Sequence, residues 1–376
     1  MNDIKKKVPV SFLALDPHIE TFIPSPVEKE LRGKDMVEWG DRNKYPEFLW
    51  ELYNSVASLR SIVNGTRDFI VGDAQQIQIG NFAPGVVNTH GDTARMVNSA
   101  ISVDKLVYGG FALQVIRNIQ GDVVETYHCP MRFLRMNKDC KVFYYSEKWA
   151  VGGITKTTVY PAFMPISKDR WNQLSLEERN RNLSSILLVK DSLTTTYPIP
   201  LWSAAVNDCE TERQTSVFHL NAINNGFVSS MVINFNNGTP DDETKEEIER
   251  AINEKFSGAA NAGRIFIAFN SDHENAVTIT EPKVENFGDR YIALSKHVRQ
   301  QIFTAFRASP VLFGIPTDNN GFSVDDYTNA FKLYNRTMVR PIQREICDAY
   351  DRIFGRAGVL TITPFSLDES AETKVN

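Results

Sequence analysis

Few residues in this chain have the type and spacing for chemistry. His128 and Cys129 are adjacent, a potential base beside a potential nucleophile. They fall in an alternating, strand-like stretch, where neighbours point to opposite faces, so a packed cysteine next to a half-exposed histidine is expected instead of a catalytic pair. His90-Gly-Asp92 puts two possible metal ligands in a polar loop, a pattern that a turn explains without a metal. His219 and His297 fall on two long helical stretches, where packing or an interface accounts for them. Asp241, Asp242 and Glu243 could gather a cation, yet they open a helix, and carboxylates there complement the positive end of its dipole with no ion. The four cysteines, Cys129, Cys140, Cys209 and Cys347, contain no CxxC pair and are too dispersed for a zinc module or a disulfide framework, which points to a reducing cytoplasm. There is no GxxxxGK[ST] loop, GxGxxG, HExxH or GxSxG, so ATP hydrolysis drops out and neither cofactor nor metal is expected.

The elements that would carry these residues are α+β. From Asn43 to Ile70 the apolar residues Phe48, Leu52, Val56, Leu59, Ile62, Val63 and Phe69 recur at helical steps, with Gly72 as the stop. A second helix runs from about Thr93 to Val107, followed by a hairpin of Tyr108–Arg117 and Val123–Tyr127 around the turn Asn118–Asp122. Short strands follow at Phe133–Met136, Val142–Tyr145 and Thr157–Tyr160, and Leu176–Asn182 reads as a polar surface element. Tyr197-Pro-Ile-Pro200 punctuates the chain. The helix expected over Leu201–Asn225 has a polar middle, so it must be solvated or pack on a polar neighbour such as a copy of itself. Phe227–Asn286 reads as a β-α-β-β module, its helix capped by Thr239 with Pro240 in the first turn, and strands at Arg264–Phe269 and Ala276–Thr280. A helix over Phe287–Ala308 carries Tyr291, Leu294, Val298, Ile302 and Phe306 on one stripe, and Ser309-Pro310 breaks it. After the loop to Phe322, Ser323 caps a helix of about thirty residues that Pro341 should kink.

The chain has 376 residues, 46 acids and 41 bases, for a net charge of −5, with 42% hydrophobic residues. That profile fits a globular protein with one sizeable core or two to three domains and argues against gripping nucleic acid by bulk positive charge. No apolar run approaches the roughly 20 residues that span a bilayer. The opening MNDIKKK-VPVSFLAL resembles a signal peptide only superficially, since Asp16-Pro17 follows and no small-residue cleavage site appears, and it is read as mature protein. The acid is concentrated: Phe227–Asn286 holds eleven acids and five bases, whereas Arg290, Lys296, Arg299 and Arg307 oppose only Asp289 in the helix that follows. The module is either a solvated face or a surface for a basic partner or for a channel that must not grip DNA.

Taken in order, these pieces resemble the portal proteins of tailed double-stranded DNA phages. The resemblance rests on Asn43-Lys-Tyr-Pro46, the Tyr108-Gly-Gly hairpin leading to Cys129-Pro130, Tyr197-Pro-Ile-Pro200 before a helix ending Asn224-Asn-Gly-Phe227, Ala259–Arg264, Phe303–Gly314 and Tyr327–Pro341, and covers about Lys44 to Phe354. Two departures stand out: the family's Val-Pro turn is Pro310-Val311 here, and the chain ends soon after Phe354, so a helical crown would be minimal or absent. The resemblance implies an α+β portal fold assembled as a ring, usually dodecameric, with an N-terminal wing (1–200), a first stem helix (201–226), a clip (227–286), a second stem helix (287–309), a tunnel loop (310–322), a C-terminal wing helix (323–357) and a short tail (358–376). It implies no catalytic residue. Asp318, Asn319, Asn320 and Gly321 would face DNA, and Asp241, Asp242, Glu243, Glu246, Glu247 and Glu249 would dock the terminase large subunit or a head-tail adaptor. Arg290, Lys296 and Arg299 would touch either phosphates or a neighbouring subunit. The implied partners are further copies of the chain, terminase, major capsid and scaffolding proteins, the adaptor and double-stranded DNA, without a membrane, at the capsid vertex of a virion assembled in host cytoplasm. Another head-to-tail ring protein, or an enzyme using a site near His128 and Cys129, are the competing readings.

Overall fold

A computed structural model of the chain describes residues 10–13, 23–30, 35–79, 82–149, 156–192, 194–224, 231–235, 241, 243–248, 250, 265–269, 287–315 and 324–367. The chain divides into a larger unit, residues 23–210 with 298–376, and a smaller one, residues 1–22 with 211–297. Of the three crossings, one falls between residues 22 and 23 and the other two fall inside helices, Val206–Asn224 and Phe287–Ala305.

In the larger unit three helices pack on an antiparallel sheet. The helices are Tyr45–Ser55, Ala57–Val71 and Ala94–Tyr108, and the sheet has Gly110–Arg117 between Ser184–Lys190 and Val123–Cys129. Leu49, Leu52, Leu59, Ile62, Val63, Ile101, Val107, Phe111 and Leu113 fill the space between them and are completely buried. The single helix expected over Asn43–Ile70 is in fact two. Val56 adopts extended backbone (φ −101°, ψ 111°) between them, its N–H closing the first helix on the Leu52 carbonyl. A β-branched residue gives up little in leaving a helix, and both helices keep their apolar faces on one core, which is why the spacing concealed the break. Gly72 ends the second helix at φ 68° as expected, and the Thr93 hydroxyl caps the third by accepting the Met96 N–H at 3.3 Å.

A second sheet has the order Glu28–Glu30, Val37–Trp39, Leu134–Met136, Val142–Tyr145, Thr158–Pro161. Its first two strands, three residues each, are too short to show a period in the sequence. Leu176–Asn182 is a surface helix closed by a capping box between Ser175 and Glu178.

The second long helix stops at Ala305, three residues short of expectation. Arg307 takes φ 52°, its N–H bonds to the Thr304 carbonyl (2.9 Å) and the Ala308 N–H to that of Phe303 (2.9 Å). This pairing is a Schellman cap with arginine where glycine is usual, which explains why no stop signal was visible. The last helical stretch begins as Val324–Tyr334, passes through a π segment, Asn335–Val339, and continues as Arg340–Phe354. The irregularity lies just before Pro341, because proline has no N–H for the Thr337 carbonyl. Ser323, its expected cap, lies outside the described residues.

In the smaller unit Met231–Phe235 runs parallel to Ile265–Phe269, with helical residues 243–248 between them in sequence, and Val10–Leu13 pairs antiparallel on the other edge (Val10 opposite Ala268). The β-α-β part of the expected module is present, and Val10–Leu13, from the stretch expected to belong to the wing, joins the same sheet. Ile265–Phe269 is five apolar residues in a row, a composition suited to a strand paired on both sides. The strand expected at Ala276–Thr280 lies outside the described residues, as do Thr239 and Pro240. Asp241 makes the cap instead, its Oδ1 accepting the Thr244 N–H at 2.8 Å.

Candidate functional site

Three of the motifs that carry the family resemblance, at Asn43, Gly109-Gly110 and Tyr197–Pro200, meet at one buried joint in the larger unit. Asn43 Oδ1 accepts the Trp39 N–H (3.0 Å) and a bond from Arg135 Nε. Arg135 also donates to the carbonyls of Arg132 (2.9 Å), Leu134 (2.8 Å) and Asn43 (3.1 Å), and its guanidinium lies 4.9 Å from the Trp149 ring. The side chain is fully buried without a hydrogen-bonded carboxylate, and burial lowers its pKa to about 10. A planar fork with five donors can satisfy four acceptors at once where a lysine could not. Tyr197 stacks on Trp39 at 4.5 Å, donates to the Val37 carbonyl and accepts the Met136 N–H at 3.2 Å. The Tyr197-Pro-Ile-Pro200 segment runs directly over Gly109-Gly110: a Cβ on Gly109 would sit 2.2 Å from the Ile199 carbonyl oxygen. These contacts build a buried scaffold.

His128 and Cys129 separate as expected. His128 Nε2 lies 2.7 Å from Asp104 Oδ2, which also accepts the Met131 N–H at 3.0 Å, tying the Ala94–Tyr108 helix to the end of the hairpin. Cys129 is buried, and burial, then Asp104, push its thiol up to about 12, far from a thiolate nucleophile. His90 and Asp92 are members of a turn in which Asn88 Oδ1 accepts both their N–H groups at 3.1 Å. Among the described residues no three His, Cys, Asp or Glu side chains could hold a metal.

The expected surfaces divide into described and undescribed parts. Asp318, Asn319, Asn320 and Gly321 lie outside the described residues, but the base of their loop is defined. Pro310–Phe313 forms a 3-10 turn closed by Gly314 at φ 73°, with the Ile315 N–H on the Pro310 carbonyl at 3.1 Å. The proline thus sits in the first turn, where its missing N–H costs nothing. Phe313 anchors this base among the rings of Phe303 (5.8 Å), Tyr334 (6.1 Å) and Phe69 (6.5 Å), and Gly65 leaves room for it: a Cβ there would meet the Phe313 ring at 2.7 Å. Sequence reasoning missed this anchor, and the signal was a glycine in mid-helix.

Of the clip acids, Asp241, Glu243, Glu246 and Glu247 are exposed, whereas Asp242 and Glu249 lie outside the described residues. The hydrogen bonds from Thr244 hold the Asp241 carboxyl below its ordinary value, so this residue acts as a helix cap. Lys296 and Arg299 are exposed on the Phe287–Ala305 helix; Arg290 belongs to the same helix, its side chain not being described. The stripe on that helix is buried at Val298, Ile302 and Phe306, but Leu294 is exposed.

Residues 88–369 match the family described as phage portal protein. No curated protein matches the chain. Among solved structures the fold is similar to a chain in the neck of a native GTA particle computed with C12 symmetry, at 16% identity, a TM-score of 0.50, and coverage of 86% of this chain and 85% of that one. A chain in the neck of an empty GTA particle computed with C6 symmetry gives 16% identity, a TM-score of 0.52 and coverage of 87% and 85%. The family match spans well over half of the sequence and takes in the hairpin, the Tyr197–Pro200 crossing, both long helices and the π-interrupted helix: the chain belongs to the phage portal protein family.

Proposed function

We propose that copies of this chain close into a ring, most simply a dodecamer, at one vertex of a virion capsid, and that the ring is a non-enzymatic channel for double-stranded DNA. The observation that carries this reading is the family match over residues 88–369. The C12 and C6 symmetries in the names of the similar neck structures are in keeping with it. A closed ring needs two different contact surfaces on each subunit. The smaller unit exposes Val217, Phe218 and Leu220 on one long helix and Ile292 and Leu294 on the other, apolar faces suited to neighbouring copies. In this reading the two long helices are the stem, residues 227–286 the clip and 310–322 the tunnel loop.

DNA carries about one negative charge per 1.7 Å, so a basic lining would hold it through counterion release, while an acidic and polar one lets it slide. The excess acid of residues 227–286 suits both passage and docking of a separate packaging ATPase, the terminase large subunit, or of a head-tail adaptor. The Asp318–Gly321 segment supplies short polar side chains where the duplex passes closest, and Arg290, Lys296 and Arg299 pair with acids of the adjacent copy. Major capsid and scaffolding proteins would hold the ring at its vertex during assembly in the host cytoplasm. Negative-stain images of the purified protein test the reading: rings with a central pore are expected, and a strictly monomeric species by light scattering at high concentration would overturn it.

A further inference from the structure

The last helical stretch of the larger unit carries a row of positive charge with a geometry of its own. Lys332, Arg336, Arg340 and Arg344 recur every four residues, and all four are exposed. From Tyr327 to Arg344 there is no acidic residue, and among the described residues none of the four has an ion-pair partner; Arg344 Nε only approaches the Arg340 carbonyl, at 3.4 Å. In an uninterrupted α-helix, four-residue steps drift by about 40° each and the row would wind off the face within three steps. Here the π segment Asn335–Val339 lies in the middle of the row. Its turns take more residues than α turns, which pulls the drift back and keeps the cations on one side. The opposite face is fixed by burial of Phe331, Tyr334, Met338, Ile342 and Ile346, so the row faces solvent.

We infer that this face binds the phosphate backbone of duplex DNA without regard to sequence, a gripping contact separate from the channel that the proposed function assigns to passage. Twelve residues of helix extend about 18 Å, and one DNA strand presents a phosphate every 3.4 Å or so, enough for each cation to find one. Three of the four are arginines, whose forks take phosphate oxygens in pairs. An acidic protein partner would also meet positive charge, but it has no reason to match an evenly spaced, uninterrupted row. The inference takes from the proposed function only that DNA is at hand, and the two fail separately.

The test is fluorescence anisotropy of a short labelled duplex with the full chain over a salt series. Four phosphate contacts contribute about −3.6 to the slope of log K against log salt, roughly a hundredfold loss of affinity between 50 and 200 mM. The variant K332Q/R336Q/R340Q/R344Q should lose that part of the slope, and R336K/R340K/R344K should keep it. Circular dichroism and negative stain on the same proteins report fold and rings. An unchanged slope in the folded glutamine variant overturns the inference and leaves the portal reading standing. Binding of polyglutamate as tight as that of the duplex overturns it too, in favour of a protein partner. Absence of rings in the unmodified chain counts against the portal reading alone, since the slope difference is still measured.

Discussion

Gly65 shows how a residue with no chemistry of its own sets the position of one that matters. In an exposed helix interior, glycine to alanine gains up to about 1 kcal/mol. Here the added Cβ would lie 2.7 Å from the Phe313 ring, itself wedged among Phe69, Phe303 and Tyr334. The sign therefore reverses: Gly65→Ala should destabilise by about 1–3 kcal/mol, read as a lower midpoint in urea, and a gain in stability would show that the ring moves aside freely. Such contacts are invisible in sequence because the partners are far apart along the chain. The Thr66 hydroxyl meets that of Tyr334 at 2.7 Å across 268 positions. Asn43, Gly109 and Tyr197 were legible as landmarks, but their common destination around Arg135 and Trp39 was not, since Arg135 belongs to a three-residue strand with no motif around it. The separation of His128 from Cys129 was legible, because strand alternation alone dictates it.

Among the elements, those with period and punctuation were read correctly in kind: the hairpin Gly110–Cys129, the Thr93-capped helix, the Met231–Phe235 strand and both long helices, although the first starts at Val206 and not at Leu201, after a 3-10 turn at Ser203–Ala205, and the second stops at Ala305. The failures share a cause, local backbone that the residue type does not announce, such as Val56 in extended conformation, Arg307 as a left-handed cap and Asp241 as the cap in place of Thr239. Two predictions belong here. Deleting Asp318–Gly321 should leave rings intact, because the anchor at Phe313 lies before the deletion, while lowering the yield of nuclease-protected DNA in a packaging assay; normal packaging would remove the loop's assigned role. Reversing Glu246, Glu247 and Glu249 to lysine should weaken terminase binding in a pull-down with no change in thermal midpoint, since the first two side chains are exposed and the Asp241 cap is untouched. Undiminished capture would return these acids to an ordinary solvated face.

For the whole molecule, the four-stretch partition into two units is the property that sequence patterning could not show, because a long helix reads the same whether it stays within one unit or passes between two. The strand Val10–Leu13 adds to this by closing on Ile265–Phe269, so that the first described residues belong with the middle of the chain. Gln343 likewise donates to the Ile70 carbonyl at 2.9 Å, a tie across 273 positions. These long closures set a timetable for synthesis. At roughly 5–20 residues per second, the ribosome delivers the Arg340–Phe354 helix tens of seconds after the helix it must cover, and until then the Ala57–Val71 face has no lid. A nascent chain stalled at residue 330 should accordingly be cut rapidly by protease within Ala57–Val71, and one released at full length should not; equal resistance of the two would mean that the closure is dispensable. All segments of the smaller unit precede residue 298, whereas the larger unit waits for Arg340–Phe354, so the two units of one copy reach their final surfaces at different times, the smaller one first.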